Sequence, residues 1–533
     1  MRFVVPFLAF VLVLSGCGKG GFSKGAAGRQ DHFFAYPMPN YPTELDPATV
    51  EDGDTIDLLE QIYEGLVQWT ESSELMPNLA EEWEISEDRL TYTFHIKRGV
   101  KFHSGREMTA HDVKFSWDRA ANPGLASPTV DGYMADLVGF REVREKVATE
   151  MSGVRVLDDY TLEVRLKEPK VYWPLYLRYP CYYVVDRDVV PADREIRRVE
   201  EVGATGPFML TELEPKYATL TRFEDYHLGP AKLAEIRRPF VEDAQTRFAM
   251  YESGEMDWLQ LERQDLRAVE ADPELKKDLL RVPRPAIWYL GFDLVEYPPF
   301  AKKKVRQAFA MAVDKEAIIN ELFQGANELA GGIIPPGVPG YRPDFKGLPY
   351  DPPRARQLLA EAGYPGGKGM PPLELYYRVD RDDPRLVSER VQLNLKENLG
   401  VEVGLRPLEW DYLLDLRNKG KLPFFHLRWH ADYLDPQNFL SFMLHTNARE
   451  NMLDYSNPEF DRLCDEADRE FDQARRIELY HQAEEIAVLE DAIWVPIYFQ
   501  YDLELLRSEV TGLRRSGLGP LPHWTTDVTW AKN

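Results

Sequence analysis

Residues 424–442 read FFHLRWHADYLDPQNFLSF, and this aromatic and acidic stretch is the grouping in the chain whose residue types and spacing could do chemistry. Asp432 falls in a short turn. A strand-like run from Phe424 to Trp429 precedes it, and Asp435-Pro436 opens a helix at Gln437 after it. Trp429 and Tyr433 stand beside it. A carboxylate among aromatics at an element boundary suits the capture of a cation or an amine in an apolar pocket. Asp432 and Asp435 equally suit capping and turn duty, so residue types alone leave both roles open.

Other chemistry is thin. His95, His103 and His111 are spaced eight apart, but they fall in strand, turn and helix and share no face. His426 and His430 are four apart in HLRWH, yet the zincin pattern needs a Glu after the first His, and Leu427 stands there. Ala362 replaces the upstream glycine that a phosphate-binding loop ending in Gly367-Lys368 would need. Gly21-Phe22-Ser23-Lys24-Gly25 spells G-x-S-x-G, but its Gly/Ala/Lys-rich surroundings supply neither the strand nor the helix of a nucleophile elbow. No cysteine pair has zinc-site spacing. The expectation is a protein without catalytic residues, metal or cofactor.

The elements that would position these residues alternate between strand and helix, which predicts an α/β architecture. Thr91 to Lys97 and Thr161 to Lys167 alternate polar and apolar as half-buried strands. Thr109 caps a helix with Asp112 in the capping-box position. Val305, Ala308, Phe309, Ala312 and Val313 form an amphipathic stripe. Asp351-Pro352 opens a helix that Gly363 ends, and Asn457-Pro458 opens a long acidic one reaching about Leu489.

The first 17 residues, MRFVVPFLAFVLVLSGC, set one positive charge before an apolar run too short to span a bilayer. Leu14-Ser15-Gly16-Cys17 resembles the lipobox of bacterial lipoproteins, which implies a signal peptide over 1–16 and a lipidated Cys17. Residues 18–30 read as a flexible tether. Lys+Arg is 64 and Asp+Glu 89, a net charge of −25, which argues against nucleic acid as a partner and against adhesion to anionic lipid through basic patches. Cys181 and Cys464 read as two separate thiols, although an oxidising compartment permits their pairing.

The run 79–120, LAEEWEISEDRLTYTFHIKRGVKFHSGREMTAHDVKFSWDRA, resembles the signature of family 5 bacterial extracellular solute-binding proteins. Further matches follow in family order: Leu45-Asp46-Pro47, Gly206-Pro207-Phe208, Val305-Arg306-Gln307-Ala308-Phe309, Tyr350-Asp351-Pro352, Ala431-Asp432-Tyr433 and Asn457-Pro458-Glu459-Phe460-Asp461. The resemblance implies an α/β, two-lobed periplasmic binding protein fold with an extra domain on the first lobe and a ligand cleft between lobes. Lobe I would hold 31–74, 203–293 and 503–533, the extra domain 75–202, and lobe II 294–502, with hinge strands near 293 and 502.

The implied function is capture of peptides, oligopeptides in particular, for the permease of an ABC importer, by a monomer anchored to the bacterial envelope. The resemblance places Asp432 on the peptide α-amino group, Trp429 and Trp410 along side-chain pockets with Tyr433 beside them, and Arg417 at the peptide C-terminus. A second carboxylate-binding arginine of the family is replaced by His426, which leaves peptide length open. The same fold with an oligosaccharide, an opine-like amine or chelated nickel is the alternative. A secreted lipoprotein hydrolase is the distant one.

Overall fold

The computed structural model describes residues 33–70, 74–323, 325–379, 381–516, 519–520 and 523–530. Cys17 and the tether lie outside them.

The alternating runs are strands. Thr91–Ile96 sits in an antiparallel sheet in the order Ala80–Ile85, Thr91–Ile96, Thr161–Arg165, Val154–Asp158. Tyr92, Phe94, Leu162 and Val164 point to one buried face, as the two-residue period of a strand requires. The helix Ala110–Ala121 buries Val113, Trp117 and Ala120. Its first turn is closed by the expected capping box, the Thr109 amide donating to Asp112 at 2.9 Å. A second antiparallel group, Phe208–Glu214, Tyr217–Arg222 and Glu235–Pro239, takes Phe33–Ala35 as a parallel edge.

The third sheet positions the site. Its main strands are β1 (Trp258–Gln260), β2 (Leu279–Phe292), β3 (Leu373–Arg378), β4 (Val403–Leu408), β5 (Phe424–His430) and β6 (Trp494–Leu506), in the order β1-β6-β2-β5-β3-β4. Glu328–Leu329 adds a short pairing to β6. The long strands β2 and β6 are antiparallel neighbours that serve two cores. Leu503 and Leu505 pack with Tyr251, Met256 and Val269 in one lobe. Further along, Trp288, Leu290, Phe292, Val495 and Ile497 pack with the helices Lys303–Ala312 and Pro352–Glu361 in the other.

Between these halves the ladder breaks. Pro283 pairs with Tyr501 and Ile287 with Phe499, so residues 284–286 bulge opposite Gln500 alone. Pro283 and Pro285 have no N–H to donate, and the sequence Val-Pro-Arg-Pro-Ala cannot continue a regular ladder there.

The acidic stretch after Asn457 is two helices rather than one, Pro458–Arg469 and Gln473–Glu485. Glu470 turns extended, and the Asp472 side chain accepts from the Arg475 amide at 2.8 Å, starting the second helix afresh. Among the described residues, no helix is long and apolar enough to cross a membrane.

Cys181 and Cys464 are buried and unbridged, and burial pushes both thiols up. Neither should react with a thiol-exchange reagent until the protein unfolds, since a buried thiol in apolar surroundings is inert. Stoichiometric labelling of the native chain at either position would contradict this packing.

Candidate functional site

β5 ends at His430, and the chain is then held by side chains rather than by a ladder. The Ala431 amide donates to the Pro285 carbonyl at 2.8 Å, so the bulge in β2 supplies the anchor. The buried Asn438 accepts from the Asp432 amide at 3.1 Å, and its carbonyl oxygen and side-chain oxygen accept from Trp429 Nε1 at 3.0 and 3.1 Å. Its own amide donates to Asp432 Oδ2 at 3.3 Å.

The two aspartates of the turn do different things. Asp435 accepts from the Gln437 amide at 2.8 Å and receives both guanidinium nitrogens of buried Arg476 at 2.7 Å. Asp432 instead faces a cavity of about 480 Å³. One wall of that cavity comes from the first lobe, through Pro37, Asp54, Asp57 and Glu60. The other comes from β2, β5 and β6, through Arg284, Arg428, His430 and Gln500. This is the size range of small-molecule sites, and its position between two cores is where such sites form.

Burial pushes the Asp432 carboxyl up to about 6, against hydrogen bonding from Tyr133 and Asn438. Burial, with Arg428 and Arg284 nearby, pushes His430 down to about 3, so it is a neutral ring at physiological pH. Most arginines of the lining are matched. Arg178 lies 3.0 Å from Glu60, Arg238 2.8 Å from Asp57, and Arg284 2.5 Å from Asp502.

Of the five binding residues expected from the sequence, Asp432 alone lines this cavity among the described residues. Trp429 packs its ring 5.9 Å from that of Phe442. Tyr433 is buried, its hydroxyl donating to Gln437 and its ring edge-on to Tyr176 at 5.2 Å. Trp410 begins the helix Trp410–Asn418 with the Arg378 guanidinium 4.3 Å over its ring. Arg417, on the same helix, is paired with Glu450 at 2.8 Å. His426 is fully buried beside Trp288, and burial pushes it down to about 3. No cluster of three or more His, Cys, Asp or Glu residues among those described could hold a metal ion. Sequence reasoning did not single out Arg428 or Gln500. The available signal for Arg428 was a cation in the middle of an otherwise aromatic and apolar strand.

A ligand-sized cavity between two cores, bridged by two adjacent strands, defines a two-lobed binding protein. The chain belongs to a family that matches over residues 74–451, the bacterial extracellular solute-binding proteins, family 5 Middle. It is 30% identical to Heme-binding protein A of Haemophilus influenzae, over 97% of each chain. It is 29% identical to the dipeptide-binding protein DppE of Bacillus subtilis, over 98% of this chain and 97% of that one. Among solved structures it resembles the periplasmic binding protein DppA from Helicobacter pylori in complex with the peptide STSA. That match has a TM-score of 0.79 and 24% identity, and covers 94% of this chain and 99% of that one.

Proposed function

We propose that this chain is the substrate-binding component of an ABC importer and that it captures peptides between its lobes through their free amino end. The observation that carries this reading is Asp432, an ionisable carboxylate that lines the cavity between the two cores. An enclosed ammonium–carboxylate pair must offset a large desolvation cost, and Asn438 and the polar cavity wall supply the extra hydrogen bonds that make this possible. The protein itself catalyses nothing. It works as a monomer held to the envelope by a lipid on Cys17, and it hands the closed, loaded form to a permease.

The test uses protein refolded from denaturant to remove carried-over ligand. A mixed peptide pool should raise the thermal midpoint, since ligand at 100 times Kd stabilises by about 2.7 kcal/mol. The same pool should also reduce the radius of gyration measured by X-ray scattering. The N-acetylated pool should do neither. Equal shifts with both pools would remove the amine anchor, and no shift with either would assign the cavity to a non-peptide solute.

A further inference from the structure

One buried carboxylate, Glu64, lies outside the cavity and gathers its own set of titratable groups. Its Oε1 accepts three hydrogen bonds, from Tyr226 Oη at 3.0 Å, from Asn78 Nδ2 at 3.1 Å and from His227 Nε2 at 3.1 Å. His523 Nδ1 stands 3.9 Å from the same oxygen and 3.4 Å from Tyr226 Oη. The other ring nitrogen of His523, Nε2, donates to the Tyr63 carbonyl at 3.3 Å. A neutral ring with its proton there turns the Nδ1 lone pair towards Tyr226 and Glu64.

His523 begins a strap, residues 523–530, that lies against the first lobe. The Thr525 hydroxyl donates to Gln61 Oε1 at 3.0 Å, and the Thr526 carbonyl accepts from the Lys232 amide at 2.8 Å. Thr529–Trp530 pairs with Val510–Thr511. Trp524 belongs to the wall of the ligand cavity, its ring 5.2 Å from that of Tyr36 and 6.0 Å from that of Trp258. His523 itself has φ at +58°, a conformation that a non-glycine residue keeps only while its surroundings hold it.

The surroundings decide what a second proton does. Burial raises the Glu64 carboxyl, but the charge and hydrogen bond of His227, with His523 behind it, outweigh burial and bring it down to about 2. Glu64 therefore stays ionised, and the histidines are the groups that titrate. Burial holds His523 below its ordinary 6.5, and His227 and Arg514 push the same way against the pull of Glu64. Lys97 and His103 also face Glu64 from the extra domain, and burial lowers both, His103 to about 4. Burial lifts the Tyr226 phenol well above its usual range, so it stays protonated. With Oε1 already accepting three bonds, a proton on His523 Nδ1 adds a cation to a pocket whose one near acceptor is taken.

We propose that Glu64, His227 and His523 form a proton-linked latch, which clasps the C-terminal strap and its Trp524 onto the first lobe at neutral pH and loosens that clasp in acid. The latch is independent of what the cavity binds. A histidine held below its ordinary value by the fold contributes stability that is complete above about 6.5 and is lost as pH falls below it. Here the loss falls on the strap, because release of residues 523–526 returns His523 to water.

The test is hydrogen exchange read by mass spectrometry on the ligand-free full chain at about pH 7.5, 6.5 and 5.5, each rate divided by the intrinsic rate at that pH. The Thr526 and Val528 amides, which bond to the His523 and Thr525 carbonyls at 3.1 Å, should lose up to about tenfold in protection between the two lower values, while Thr91–Ile96 keeps its own. His523→Gln cannot take the proton but can still donate to Tyr63, and should show no such loss. His227→Gln frees Glu64 to pair with a charged His523, so the loss should shrink or reverse. Equal strap protection at all three values, a gain in acid in the wild type, or an undiminished loss in His523→Gln overturns the latch. If His523→Gln does not fold, the imidazole proton signals of the wild type decide. One ring titrating in step with the loss of strap protection supports the latch, and none doing so overturns it.

Discussion

Asp432→Asn is expected to weaken binding of a free-amine peptide about 100-fold at neutral pH while making the empty protein more stable. The two effects share one cause. The fold holds this carboxyl at about 6, well above its ordinary 3.8, because burial disfavours the charge. A carboxyl raised on folding contributes stability that is complete below 3.8 and is lost as pH rises through about 6. At pH 7 the ionised group therefore costs the ligand-free protein up to about 3 kcal/mol, which the amide would recover.

Binding runs the other way. An ammonium ligand needs the carboxylate ionised, so wild-type affinity should fall by up to tenfold per pH unit below about 6. It should fall again above about 8, where the peptide amine loses its proton. Calorimetry across this range checks both limbs. A flat acid limb in the wild type, or an Asn variant that keeps the same profile, would remove Asp432 from the anchor role.

Arg476→Met should be the most damaging single change near the site. Arg476 is 1% exposed and donates two hydrogen bonds to Asp435, which in turn caps the turn that carries Asp432. Removing one partner of a buried ion pair typically costs about 3–5 kcal/mol, because the other charge is left unmatched. The double variant Arg476→Met with Asp435→Asn should recover most of that loss, since both charges leave together. Urea unfolding of the three variants measures the coupling. A single-variant cost below about 1 kcal/mol would mean that the Asn438 bonds alone hold the segment.

What could be read from the chain depended on how local its cause was. Thr91–Ile96 folds as read because alternation is a property of adjacent residues, and Thr109 with Asp112 form their capping box within one turn. The break between Arg469 and Gln473 was hidden because no Gly or Pro marks it. The only cue, Asp472 as a fresh cap, resembles any other acidic residue in that stretch.

The same limit governs the site. The turn around Asp432 was legible from the strand before it and the Asp-Pro after it. The place of Arg428 on the cavity wall was not, because it depends on the pairing of β5 with β2 and on Gln500 and Asp502 of β6. Trp410 and Arg417 illustrate the converse. The resemblance placed both at the ligand, but the contacts of their shared helix pair Arg417 with Glu450 and set Arg378 over Trp410, which no local pattern encodes.

The paired strands β2 and β6 have a mechanical consequence. Two crossings set far apart would let the lobes twist and shear as well as open. Here the crossings lie side by side, hydrogen-bonded above and below the bulge at 284–286, so neither can slide past the other without breaking its ladder. What remains is bending where the ladder is already interrupted, about one axis running across both strands. Separation of the lobes is then close to a single angle. The cavity wall that carries Arg284 and Gln500 lies at that interruption, and the facing wall with Asp54 and Asp57 belongs to the first lobe. On the reading proposed above, an importer would receive a one-variable report of occupancy, whatever side chains the ligand carries.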